Sequence, residues 1–159
     1  MPEESRVKKN VTSTAVAKPK TAACPLCRGK SGALLWQDKH CRIVIVRDTD
    51  YAGYCRVIWN THIKEMTDLS AQQRAHCMRV VFAVEQAVRT VFMPDKINLA
   101  SFGNMAPHLH WHVIPRFVGD AHFPNPVWGK RQRSGKTAMA KHTPANWRTA
   151  LRDQLVRLL

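Results

Sequence analysis

No stretch of this chain approaches the roughly 18 unbroken apolar residues of a membrane-spanning helix. The opening segment MPEESRVKKNVTSTAVAKPK also lacks the apolar centre of a secretory leader. Both absences point to a cytoplasmic protein with no membrane partner. Disulfides are not expected either. The cysteines are five, Cys24, Cys27, Cys41, Cys55 and Cys77, and an odd count without a leader argues against a disulfide framework. Cys41, Cys55 and Cys77 lie in apolar or helical runs and read as small buried hydrophobes. There is no internal repeat. Acidic residues are few, 11 against 25 lysines and arginines, a formal net charge of +14.

That excess invites a nucleic-acid reading, but it is unevenly spread. Residues 1–22 carry a net +3 (five basic, two acidic), residues 128–159 a net +7 (eight basic, one acidic), and residues 23–127 only +4 (twelve basic, eight acidic). Charge placed this way attracts any polyanion, a polyphosphate included. The run GKRQRSGK has no aromatic side chains interleaved on which bases would stack. It reads as a solvated face, so nucleic acid is not the expected partner.

With 159 residues, 45% of them hydrophobic, the chain suits one domain with its own core. Residues 1–22 have no periodicity and no aromatics and read as a disordered basic tail. ALLWQ and CRIVIVRD are β-type runs joined by DKH, a hairpin. A turn at Gly53 leads to a third run, YCRVIW. From Ser70, a suitable N-cap, Cys77, Val80, Val81, Val84, Val88 and Val91 recur at helical spacing until Pro94. INLASF, the turn GNMAP and the run HLHWHVIPRF follow. A final helix is expected over 144–159, with Thr143 as N-cap and Pro144 at its first position. The fold class is therefore α+β: an antiparallel sheet of about five strands, one long helix between the third and fourth, and a C-terminal helix. Residues 23–129 form the domain and 130–159 a basic extension ending in that helix.

The segment HLHWH carries the chemistry. Strand side chains alternate between faces, so His108, His110 and His112 share one face, while Leu109, Trp111 and Val113 share the apolar one that packs on the core. The histidine face is thus the one expected to open to ligand or solvent. Imidazole serves as nucleophile, general acid or base, and metal ligand near neutral pH. The pair Cys24 and Cys27, in CPLC, is a redox couple, half of a zinc site or two structural thiols; zinc would need two further ligands.

The pattern H108-L-H110-W-H112-V-I resembles the signature of the histidine triad (HIT) family of nucleotide hydrolases and transferases. The likeness runs over residues 23–129: CPLC, a hairpin ending in Asp48, a strand leading into WNTHIKEMTDLS, the long helix, then the triad. It implies a HIT-like fold and a zinc-bearing member similar to bacterial diadenosine tetraphosphate hydrolases. The implied activity is cleavage of a phosphoanhydride or phosphoramidate at the α-phosphate of a nucleotide derivative, such as a dinucleoside polyphosphate. His110 would be the nucleophile, forming a nucleotidyl-histidine, with its ring held by a backbone carbonyl. His112 would contact phosphate oxygens or the leaving group. Asn98 and Asn104 are the amides placed to donate to phosphate, and Asp48, with Asp50 as substitute, would bind the ribose. One structural zinc per chain would sit on Cys24, Cys27, His62 and His108. The implied partners are a purine nucleoside mono- or polyphosphate derivative and a second copy of the chain, as a homodimer. Two positions depart from the pattern: Tyr54 stands where many members have a further histidine, and GNMAP replaces a G-Q-S/T phosphate-binding turn. Two other functions compete, a nucleotide- or nucleic-acid-binding module without turnover, and a hydrolase using the HxHxH histidines as catalytic metal ligands.

Overall fold

The computed structural model describes residues 23–29, 31–47, 50–133 and 145–159. The expected tail at 1–22, and Thr143 and Pro144 as helix start, lie outside the described residues.

Five strands form one sheet: β1 (Ala33–Gln37), β2 (Cys41–Ile45), β3 (Cys55–Trp59), β4 (Lys96–Ala100) and β5 (His110–Arg116). Their order is β1-β2-β3-β5-β4, and all four pairings are antiparallel. The β1–β2 hairpin closes on Asp38, whose Oδ1 accepts from the backbone N–H groups of His40 and Cys41, each at 2.7 Å. This side-chain-to-backbone turn is the reason an acid sits in the connection. Gly53 turns the chain into β3 at φ +81°, and a Cβ there would lie 2.5 Å from the Phe92 ring. Glycine answers both demands at once.

The long helix α1 (Ala71–Phe92) lies between β3 and β4. It begins at Ser70 as the spacing predicts, with a capping box: Gln73 N donates to Ser70 Oγ at 3.3 Å, and Ser70 N to Gln73 Oε1 at 2.9 Å. It ends with Met93 in the left-handed conformation, followed by Pro94. The predicted stripe, Cys77, Val80, Val81, Val84, Val88 and Val91, is buried against the sheet. The facing strand residues are Ile43 and Ile45 of β2, Cys55, Val57 and Trp59 of β3, and Val113 of β5, with Leu109 just before β5. A last helix, α2 (Trp147–Leu158), packs on α1 and places Leu151 and Leu155 in the same core with no exposed surface. Its N-cap position, Asn146, makes no capping bond. The helix therefore starts three residues after the expected 144.

The strand bearing the triad also starts later than its sequence suggests. His108 N donates to Ala106 O at 2.7 Å and Leu109 N to Ile63 O at 2.7 Å. These bonds tie the two residues to the preceding turn and to the segment after β3, so the ladder begins at His110. On the sheet face away from α1, Cys24 and Leu26 pack with Val44 and Ile58. The histidine face is not open in the way alternation alone suggests. His108, His110 and His112 are 1%, 7% and 9% exposed, and the N-terminal knuckle covers part of that face.

Candidate active site and metal centre

The three histidines do three different things. His108 turns Nδ1 toward the knuckle, 3.5 Å from Cys24 Sγ, 3.4 Å from Cys27 Sγ and 3.3 Å from His62 Nδ1. His62 Nδ1 is also 3.3 Å from Cys27 Sγ. The four donor atoms lie within 4.8 Å of one another. A tetrahedral zinc with bonds of about 2.3 Å to sulfur and about 2.0–2.1 Å to nitrogen has ligand-to-ligand edges of about 3.3 to 3.8 Å. The observed spacings fit that ion. On the far side of the ring, His108 Nε2 is 2.6 Å from the Trp59 carbonyl. A carbonyl only accepts, so Nε2 carries the proton and Nδ1 keeps its lone pair for a ligand bond. Arg42 stands beside the two thiols, its guanidinium donating to Leu26 O at 2.5 Å and to Asn60 Oδ1 at 3.1 Å.

A second grouping of ligand types, Asp38, Cys41 and His76, has a different character. His76 Nε2 donates to Asp38 Oδ2 at 2.7 Å and lies 3.9 Å from Cys41 Sγ. Burial, with Asp38 nearby, pushes the Cys41 thiol far above its usual range. These residues satisfy one another.

His110 turns Nδ1 onto its own segment's backbone, 2.6 Å from the His108 carbonyl. By the same argument Nδ1 is protonated and Nε2 bears the free lone pair. Burial holds the ring below the usual imidazole pKa, against the opposing pull of that carbonyl. The arrangement is that of a nucleophile or base, neutral at physiological pH. His112 packs against His110, ring centroids 4.7 Å apart, and its Nδ1 is hydrogen-bonded to the Tyr54 hydroxyl. Burial, then the neighbouring His110 and Arg56, lower its pKa to about 3. Tyr54 thus occupies the position of the missing histidine and braces the third member of the triad. Phe102 lies on the other side of His112, at 5.6 Å, and itself meets Trp128 edge-on at 4.6 Å.

The remaining expected residues are placed as follows. Asn98 is on β4, its Oδ1 accepting from Arg116 at 2.7 Å, and Arg116 is anchored by the buried Asp120 at 2.6 Å. Asn104 is exposed in the turn before the triad. Asp48 lies outside the described residues. Asp50 is held by Arg131 through two bonds of 2.8 and 3.2 Å. Arg133, from the same basic run, donates to the carbonyls of Asp120 and Phe123. Sequence reasoning passed over Arg56, whose signal was a lone cation inside the apolar run YCRVIW.

Comparison with known proteins agrees with this geometry. Over 134 residues, 80% of this chain and 69% of the relative, the protein is 25% identical to an AP-4-A phosphorylase of Mycobacterium tuberculosis. A histidine triad protein of Bradyrhizobium japonicum superposes with a TM-score of 0.67 at 28% identity, covering 80% of this chain and 93% of that one. One from Marinobacter aquaeolei VT8 gives 0.67 at 26%, covering 82% and 93%. A Zn-bound histidine triad family protein of Mycobacterium smegmatis shares the fold, with a TM-score of 0.57 at 20% identity, covering 86% and 95%. The HIT domain model matches residues 29–119, and with the HxHxH strand, the helix and the sheet order in place, this chain belongs to the HIT domain family.

Proposed function

We propose that this protein is a nucleotide hydrolase or nucleotidyl transferase acting at the α-phosphate of a nucleotide derivative, with a dinucleoside polyphosphate as the type of substrate. One observation carries the reading: His110 donates Nδ1–H to the His108 carbonyl at 2.6 Å, which leaves Nε2 an unprotonated nucleophile. Family membership and the AP-4-A phosphorylase relative support the substrate class.

In the first step the Nε2 lone pair attacks the α-phosphorus. A phosphorus–nitrogen bond forms, and the bond to the leaving group breaks with its electron pair going to the departing oxygen or nitrogen. In the second step water attacks the same phosphorus, the P–N bond returns its pair to Nε2, and the nucleoside monophosphate leaves. Inorganic phosphate in place of water would give a nucleoside diphosphate, the phosphorolytic form of the same step. The covalent route divides one displacement into two. His112, neutral at working pH, takes the Tyr54 hydroxyl hydrogen bond on Nδ1 and so presents Nε2–H to phosphate oxygens or to the leaving group. Asn104, exposed beside the triad, and Asp48, after β2, are assigned to phosphate and ribose.

Cys24, Cys27, His62 and His108 are assigned one zinc. Four protein ligands leave no position for substrate, so the ion would be structural, tying the knuckle to the strand that carries the nucleophile. The set diverts His108 from its neighbours, and neither ligand grouping among the described residues includes His110 or His112. This disfavours a catalytic metal on HxHxH. Because β4 is one edge of the sheet, with one ladder unfilled, a homodimer is also proposed; light scattering in solution reports it.

Incubation with a slowly turned-over diadenosine polyphosphate or nucleoside phosphoramidate, quenched in acid and read by intact and peptide mass, tests the chemistry. An adduct of one nucleoside monophosphate unit on His110 is expected. An adduct on another residue, or steady turnover by His110→Gln, sinks the assignment.

A further inference from the structure

The phosphate-binding turn that the triad pattern leads one to expect is missing, and the structure offers a replacement. Arg56 lies in β3 directly opposite His112 of β5, two residues before Ile58, which pairs with His110. Residues directly opposite in an antiparallel pair project to the same face with Cβ atoms about 4.5–5.5 Å apart. The Arg56 stem therefore rises beside His112, on the face of the sheet that carries the nucleophile. Its Cζ is 5.6 Å from the Tyr54 ring centroid, the ring that braces His112.

The neighbouring arginines have acceptors in the protein. Arg42 donates to Leu26 and Asn60, Arg116 to Asp120, Asn98 and Asn125, and Arg131 to Asp50. Arg56 is different. Its Nε is buried without a hydrogen-bond acceptor among the described residues, and no described carboxylate pairs with it. Arg56 itself is half-buried, and a guanidinium whose buried Nε lacks an acceptor is incompletely satisfied, so its place in a central strand suits an anion that arrives from outside. His112 does not supply the positive charge itself, since burial, then the neighbouring His110 and Arg56, hold its ring neutral. A planar guanidinium matches two phosphate oxygens at once.

We propose that Arg56 is the phosphate ligand of this site, its guanidinium holding non-bridging oxygens of the substrate's α-phosphate alongside His112. The inference rests on His110 being the nucleophile toward a nucleotide, and it names the cation that offsets the phosphate charge there.

The test uses full-length wild type, Arg56→Met and Arg56→Lys, each titrated calorimetrically with adenosine monophosphate and assayed with diadenosine tetraphosphate. Arg56→Met should melt at or above the wild-type temperature, because a half-buried guanidinium whose Nε has no acceptor among the described residues is replaced by an apolar stem. Its affinity for the monophosphate should fall roughly 10- to 100-fold, and kcat/KM roughly 10²–10³-fold. Arg56→Lys should recover part of both, as a point charge without the fork. A melting temperature that falls in Arg56→Met while monophosphate affinity holds would make Arg56 a structural residue and overturn the proposal. The two readings separate cleanly. A His110 adduct formed at the wild-type rate in Arg56→Met refutes the ligand and keeps the nucleophile. Arg56-dependent monophosphate binding without any adduct keeps the ligand and refutes the nucleophile.

Discussion

The two faces of the sheet obey the same alternation and do opposite jobs. The face toward α1 is built from Ile43, Ile45, Val57, Trp59 and Val113, all buried. Its specificity is packing, so one methylene is felt wherever it is lost. The other face presents Arg42, Arg56, His110 and His112 in the same strands, with Tyr54 just before β3, and most of these are held by a hydrogen bond to a fixed partner. The face with the weaker hydrophobic pattern is not simply a wet surface. It is a second ordered interior of polar groups, covered at one end by the CPLC knuckle. What separates the two is that side chains on the first face are interchangeable by volume, whereas on the second the orientation of single nitrogens matters.

The sharpest way to test that contrast is to strike each face once and read both stability and turnover. On the polar face, His110→Gln should cut hydrolysis of a dinucleoside polyphosphate by at least about 10⁴-fold, since the covalent route disappears. Its circular dichroism spectrum should be unchanged. Removing the metal assigned to the knuckle comes next. Purified protein is expected to hold one zinc per chain by elemental analysis, and Cys24→Ser or strong chelators should lower the melting temperature by many degrees, because the bound ion stabilises the folded state only. The zinc content of His76→Ala should not change, as that residue belongs to the self-satisfied Asp38 group. A protein purified without chelator and free of metal would overturn the assignment.

Striking the apolar side, Leu155→Ala should cost about 2–5 kcal/mol of stability, from lost transfer and the cavity left in a site with no exposure. Turnover per folded molecule should hold at wild-type level. A loss of activity without loss of stability would mean that α2 reaches the site. The smallest effect concerns His112. His112→Asn should reduce turnover roughly 10²–10³-fold and flatten the acid limb of the stability profile. The folded pKa of about 3 lies below the usual imidazole value of 6.5, so the unfolded chain binds the extra proton between them. Stability is then full above about pH 6.5 and falls as pH drops toward 3, by up to about 1.4 kcal/mol per pH unit. Chemical denaturation of wild type and variant at pH 7, 6 and 5 reads that slope, and equal slopes would assign the acid sensitivity elsewhere.

Much of this molecule is written in local pattern. The strand and helix periods, the Ser70 cap and the Gly53 turn can be read from neighbours in the chain, because each depends on interactions a few residues apart; the roles of the triad and the set Cys24, Cys27, His62 and His108 come only with the family resemblance. Tertiary structure decided the rest. Alternation puts three histidines on one face, but it cannot say that His108 faces two cysteines while His110 faces a carbonyl. That follows from the turn at Ala106 and from Trp59 and His62, which approach from β3 and the segment after it. Composition sets residues 130–159 apart as a basic stretch with a terminal helix, but that Leu151 and Leu155 join the core follows from the packing of α2 on α1. The place of Arg56 opposite His112 was invisible in YCRVIW for the same reason: which side chains face a cation depends on every element packed around it.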